Sequence, residues 1–91
     1  MILIELTGRF KKIVRAAGRE TEVTGTLKQV RAGFGHPHLH TGLSIRKLGR
    51  NLYECGTGQA WRLVFRPQPG RLTFDFAGDR DGVQNYLRGR R

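Results

Sequence analysis

Residues 46–88 read RKLGRNLYECGTGQAWRLVFRPQPGRLTFDFAGDRDGVQNYLR. Three short apolar runs stand in this stretch: LYEC from Leu52, WRLVFR from Trp61 and RLTFDF from Arg71. Each has the length of a strand, and Gly58-Gln59 and Gln68-Pro69-Gly70 separate them as short connections suited to antiparallel hairpins. They read as a meander over about residues 52–57, 60–67 and 72–77. The period of two places Tyr53 with Cys55, Trp61 with Leu63 and Phe65, and Leu72 with Phe74 and Phe76 on one apolar face. Glu54, Gly56, Arg62, Val64, Thr73 and Asp75 fall on the other. One greasy and one polar face predict an antiparallel sheet covered on one side only. Asp79 or Asp81 then caps a last short helix, in which Val83 and Leu87 lie four apart with Tyr86 beside them.

Upstream, Ile2 to Leu6 is β-friendly, and Thr7 offers an N-cap oxygen. Phe10, Ile13, Val14 and Ala17 follow at helical spacing between basic residues, and the helix ends near Gly18. Val23, Leu27, Val30 and Phe34 repeat the spacing, giving a second helix from Glu20 to Ala32 with Gly33 as its C-cap. Gly25 inside it costs roughly 1 kcal/mol against Ala. Residues 35–42, GHPHLHTG, form a loop, and Leu43, Ile45 and the Arg46-Lys47-Leu48 run lead from it into the meander. The expected fold is α+β: a two-helix hairpin packed on a mostly antiparallel four-stranded sheet, in the order β-α-α-β-β-β, with a short C-terminal helix.

Ninety-one residues make a single domain, residues 1–91, with a modest core. The formal net charge is +10, from 17 Lys and Arg against seven Asp and Glu. That balance favours RNA or another polyanion; a basic protein without such a ligand is the plain alternative. Arginine dominates the cations, which suits forked phosphate contacts better than a solubilising lysine coat. The one cysteine, Cys55, excludes an intramolecular disulfide, fits a reducing cytoplasm and reads as a buried structural thiol. MILIEL is too short for a signal core or a membrane span, so a cytoplasmic location and no membrane partner are expected.

Arg62, on the middle strand, with Arg80 and Tyr86 just past the last, makes a phosphate-handling constellation. Alternation turns Arg62 away from Trp61 and Phe65, either toward a bound phosphate or into a salt bridge with Glu54 or Asp75. Arg80 either holds phosphate or is a solvated loop arginine. Tyr86 either stacks on a base, takes part in proton transfer, or packs into the core. Glu54 either acts as a base or pairs with Arg62. Lys11 and Lys12, with Arg15, form a basic helix face, and Arg46 and Lys47 add charge beside the meander. His36, His38 and His40 alternate in the loop, but no Cys, Asp or Glu nearby completes a metal site. One of them, His38 among the candidates, is left for RNA contact or proton transfer. No metal and no cofactor are expected.

The order of elements and several motifs resemble the RelE/ParE superfamily of bacterial toxins, over most of the chain. Phe10-Lys11-Lys12 is similar to the FKK of the family's first helix. Lys47-Leu48 followed by Leu52-Tyr53-Glu54 is similar to its KL…LYE junction, and Trp61-Arg62-Leu63-Val64-Phe65 to its aromatic-R-L-V-aromatic strand. The run from Gly78 to Val83 with Tyr86-Leu87-Arg88 resembles a closing pattern in one uncharacterised branch, which carries His where Arg80 stands.

The resemblance implies a toxin neutralised by a cognate antitoxin, acidic or DNA-binding. RelE-type members cut messenger RNA on the ribosome without a metal; ParE-type members instead poison DNA gyrase; a member that has lost activity keeps only nucleic-acid or antitoxin binding. In the first case Arg62 takes the position of the family's strand arginine, Arg80 follows the last strand where an arginine is common, and Tyr86 matches its C-terminal tyrosine. RelE-type enzymes place lysines one and three residues after the strand tyrosine; here those positions hold Glu54 and Gly56.

Overall fold

The computed structural model describes residues 2–35, 44–57 and 60–89. Thr7 accepts the Phe10 amide at 3.1 Å and caps α1 (Gly8–Ala17), which follows β1 (Leu3–Leu6). Gly18, at a left-handed φ of 66°, ends α1 and lets the chain turn straight into α2 (Glu20–Gly33). Gly33 proves to be the last helical residue, and Phe34 leaves in an extended conformation. Its ring packs edge-on against Tyr53 and Phe65, so the core draws the chain out of the helix there.

The strands that follow are β2 (Arg46–Gly49), β3 (Leu52–Gly56), β4 (Arg62–Gln68) and β5 (Arg71–Gly78), and α3 (Arg80–Gly89) closes the described chain. The sheet therefore has five strands rather than four, ordered β1-β5-β4-β3-β2. The added strand is β2, which had read only as a lead into the meander. It has four residues, two of them charged, and its pairing with β3 slips between Lys47 and Gly49. The β2 to β5 pairs are antiparallel, while β1 lies parallel to β5 at one edge.

On one face of the sheet, α1 and α2 cover a core of Phe10, Val14, Val23, Val30, Cys55, Leu63, Phe65, Leu72, Phe74 and Ala77. Phe65 is its centre: fully buried, it stacks on Phe74 at 4.9 Å and on Tyr53 at 5.8 Å between centroids. Trp61 packs at the border of this core with the Arg19 guanidinium 4.8 Å over its ring, and Arg19 also meets Glu22 at 3.1 Å. That sandwich ties the turn between the helices to the start of β4.

The opposite face is not the bare polar surface that alternation predicts. A second cluster of Leu52, Val64, Val83 and Tyr86, with Leu48, Phe76 and Leu87 at its border, fills the space beneath α3. The architecture is three-layered, with helices on both sides of the sheet. Phe76 is here rather than with Leu72 and Phe74, and the cause is a β-bulge. Val64 pairs with Phe76 but Phe65 pairs with Phe74, so Asp75 is an extra residue that reverses the alternation beyond it. Among the described residues, no helix is long and apolar enough to cross a membrane.

Candidate active site

Asp79, not Asp81, starts α3: its carboxylate accepts the Gly82 amide at 2.7 Å and its carbonyl the Val83 amide at 2.9 Å. This cap sets Arg80 on the first turn, facing the sheet. Below it, Arg46 on β2 and Glu54 on β3 are cross-strand partners, and Gly56 on β3 pairs with Arg62 on β4. These register positions bring Arg46, Glu54, Arg62 and Arg80 to one cleft of about 330 Å³, completed by Leu48, Val83, Gln84 and Leu87.

Glu54 anchors the cleft. Its side chain is 2% exposed, and Oε2 alone receives Arg46 Nε at 3.1 Å, Arg46 Nη2 at 3.0 Å and Arg62 Nη1 at 3.5 Å. A buried carboxylate of this kind requires such partners. The pairing fixes two guanidinium groups without cancelling them, because three arginines face one carboxylate. What remains is positive and lined by forked donors, which is the electrostatic requirement for holding a phosphodiester.

Gly56 has a packing reason. A Cβ there would stand 3.3 Å from the Ser44 Cβ, so a side chain at this position forces Ser44 to shift. The neighbouring Cys55 is fully buried, and burial together with the adjacent Glu54 charge pushes its thiol up to about 12. The thiol stays protonated and is no nucleophile at neutral pH.

The remaining candidates lie elsewhere. Lys47 pairs with Tyr53 and so sits on the α1/α2 side of the sheet, opposite Arg46. Lys11 lines a shallow groove between α1 and α2, and Lys12 lies with Gly8, Arg9 and Ile13 on the outside of α1. His38 lies outside the described residues, as do His36 and His40. Among the described residues no three His, Cys, Asp or Glu side chains converge on a common point.

Asp75 is not a partner of Arg62. It turns toward α3, where its Oδ2 accepts the Tyr86 hydroxyl at 2.6 Å and lies 3.9 Å from Arg9. Tyr86 itself is nearly buried, stacks on Phe76 at 4.7 Å and 17°, and lines a separate groove with Arg9, Asn85 and Gly89. Burial works against the ionised Asp75, but hydrogen bonds from Tyr86 and Thr7 and the charges of Arg9 and Arg66 outweigh it and hold the carboxyl below its ordinary range. Its contribution to stability is therefore complete above about pH 4, the unfolded value, and is lost as pH falls further. The expected result is a urea midpoint that drops on acidification below pH 4, with a visibly smaller drop in Asp75→Asn. Equal drops in the two proteins count against this linkage.

No family model and no curated protein sequence matches the chain. Solved structures do. YafQ from E. coli strain BL21(DE3) superimposes with a TM-score of 0.67, at 19% identity, over 91% of this chain and 98% of that one. The fold is RelE-like. The YafQ chain of the E. coli DinJ–YafQ complex matches with a TM-score of 0.65 at 18% identity over the same shares, and a second structure of that toxin–antitoxin complex with 0.64 at 17% over 90% and 96%. The match thus extends over about nine-tenths of this chain. Sequence reasoning had placed Arg46 beside the site but not on Glu54, and it missed Gln84 and Leu48. The spacing of Arg80, Val83, Gln84 and Leu87 at i, i+3, i+4 and i+7 was the available signal for a single helix face.

Proposed function

We propose that this protein is the toxin of a toxin–antitoxin pair and that it cleaves messenger RNA, without a metal, on the ribosome. The observation that carries the reading is the convergence of Arg46, Arg62 and Arg80 around buried Glu54 in one cleft of a RelE-like fold. Metal-free cleavage drives the 2′-hydroxyl against the adjacent phosphate and needs cations on the phosphate oxygens, an acceptor for the hydroxyl proton and a donor to the departing 5′-oxygen. Arg62 and Arg80 supply the charge. Arg62 holds Glu54 by the longest of the three contacts, 3.5 Å, and is the guanidinium most easily given over to a phosphate. Glu54, relieved of that partner, is the carboxylate lining the cleft and takes the 2′-hydroxyl proton, while water supplies the proton of the departing 5′-oxygen. The antitoxin is the protein partner, as DinJ is for YafQ.

A second reading is a ParE-like gyrase inhibitor without catalysis. The observation in its favour is that Glu54 and Gly56 stand where RelE-type enzymes carry lysines, and that Glu54 occupies two of the three arginines. One experiment separates the two. The purified protein is added to a cell-free translation reaction and to a gyrase supercoiling reaction, and message ends are mapped. Cuts within ribosome-bound message, lost on Glu54→Gln by about 10²–10⁴-fold, support the nuclease. Inhibited supercoiling with intact message supports the gyrase reading and sinks the first.

A further inference from the structure

We infer that Tyr86 is a positioning residue: it latches α3 to the β-bulge of β5 and so sets the roll that aims Arg80 into the cleft, rather than donating a proton itself. The inference rests on the cleft being the site proposed above.

The helix presents two different flanks. Arg80, Val83, Gln84 and Leu87 line the cleft, whereas Tyr86 lines the groove on the far side with Arg9, Asp75 and Asn85. The phenol is thus turned away from the cleft arginines Arg46, Arg62 and Arg80. Its proton is already engaged, donated at 2.6 Å to the Asp75 carboxylate. A tyrosine O–H has one proton to give, and this one points into the sheet.

Its contacts are those of an anchor. The hydroxyl is held by Asp75 and the ring by Phe76, which are consecutive residues at the bulge. The bulge reverses the alternation so that both reach this face; a regular strand would have turned Phe76 toward α1 and α2. The Arg9 guanidinium stands 5.9 Å over the ring, closing the groove from the side of α1.

Apolar contacts between Val83 and its neighbours in the second cluster resist separation of α3 from the sheet but set its rotation weakly, since they carry no direction. The Asp79 cap fixes where the helix begins. The hydrogen bond to Asp75 is a directional contact, and it fixes roll. At a helix outer radius of about 6 Å, a roll of about 20° displaces a side chain by about 2 Å. A full displacement on that scale costs on the order of 10²-fold in a positioned reaction, and loss of one of the contacts that hold the roll should cost part of it.

The test uses Tyr86→Phe, which keeps the stack and removes the hydroxyl, with Asp75→Asn, Arg80→Ala and the Tyr86→Phe/Arg80→Ala double variant. Amide hydrogen exchange of the free protein is read first. Tyr86→Phe and Asp75→Asn should each speed exchange across α3 by on the order of ten-fold and leave β3 and β4 unchanged. Cleavage of ribosome-bound message is read second. Tyr86→Phe should lower kcat about ten-fold with an unaltered pH profile, and should cost nothing further in the Arg80→Ala background. Unchanged exchange in α3 overturns the latch. An equal loss with and without Arg80, or the disappearance of one limb of the pH profile, overturns it in favour of direct proton transfer. A wild-type protein that cuts no message refutes the proposed nuclease, and exchange still decides the latch.

Discussion

Arg62→Ala should reduce cleavage of ribosome-bound message by about 10²–10³-fold, the usual cost of removing one preorganised donor from a developing charge. Arg62 is suited to that role by where β4 puts it. Leu63 and Phe65, which follow it on β4, are fully buried and fix the strand, while the Arg62 side chain emerges 32% exposed into the cleft. Truncation leaves Glu54 its two contacts from Arg46, so the carboxylate is not orphaned. Folding should therefore lose less than the about 3–5 kcal/mol that orphaning a buried charge costs. Arg62→Lys keeps the charge but loses the planar fork and should fall between the two. Message-end mapping and thermal unfolding on the same preparations check both halves. Cleavage within threefold of wild type removes Arg62 from the site.

Phe65→Ala is the largest expected effect on stability. The side chain is fully buried and touches Tyr53, Phe74 and Phe34, so deletion removes one partner from each of three aromatic pairs. Truncations of this kind cost about 3–5 kcal/mol, in a domain whose total stability is on the order of 5–15 kcal/mol and, at this size, near the lower end. The melting temperature should fall by more than about 12 °C. Phe76→Ala, at the border of the smaller cluster, should cost clearly less. Circular dichroism melts of the two variants test the ranking; a Phe65→Ala protein melting within a few degrees of wild type contradicts the core described here.

The elements that packed by alternation or by helical period were legible. Leu63 and Phe65 inward, Arg62 outward, the Thr7 cap and the α1 and α2 stripes all follow from spacing and local chemistry. What escaped came from pairings across the chain. Asp75 in RLTFDF carries no local mark of a bulge, yet it moves Phe76 from one core to the other. The face expected to be polar is covered because α3 returns to it, a tertiary choice that Glu54 or Thr73 cannot announce. Arg46 meets Glu54 only once Arg46–Gly49 is seen to be a strand, and four residues with two charges do not alternate enough to say so. The Arg62–Glu54 pair and the grouping of Arg62 with Arg80 were therefore foreseeable, while the place of Arg46 on Glu54 and of Tyr86 in a separate groove was not.

The parallel edge strand has a kinetic consequence. Among the described residues β1 pairs only with β5, and the Thr73 hydroxyl that bonds Glu5 at 3.1 Å is 68 positions along the chain. No hairpin can bring these segments together, so their union must wait until the meander has formed and must overcome the entropy of closing most of the chain into one loop. α1 meets the same demand: it packs chiefly on β5, with Phe10 on Phe74 at 5.6 Å, so it too docks across most of the chain length. The antiparallel strands are expected to form the early scaffold, with the segment first in sequence among the last to find its place.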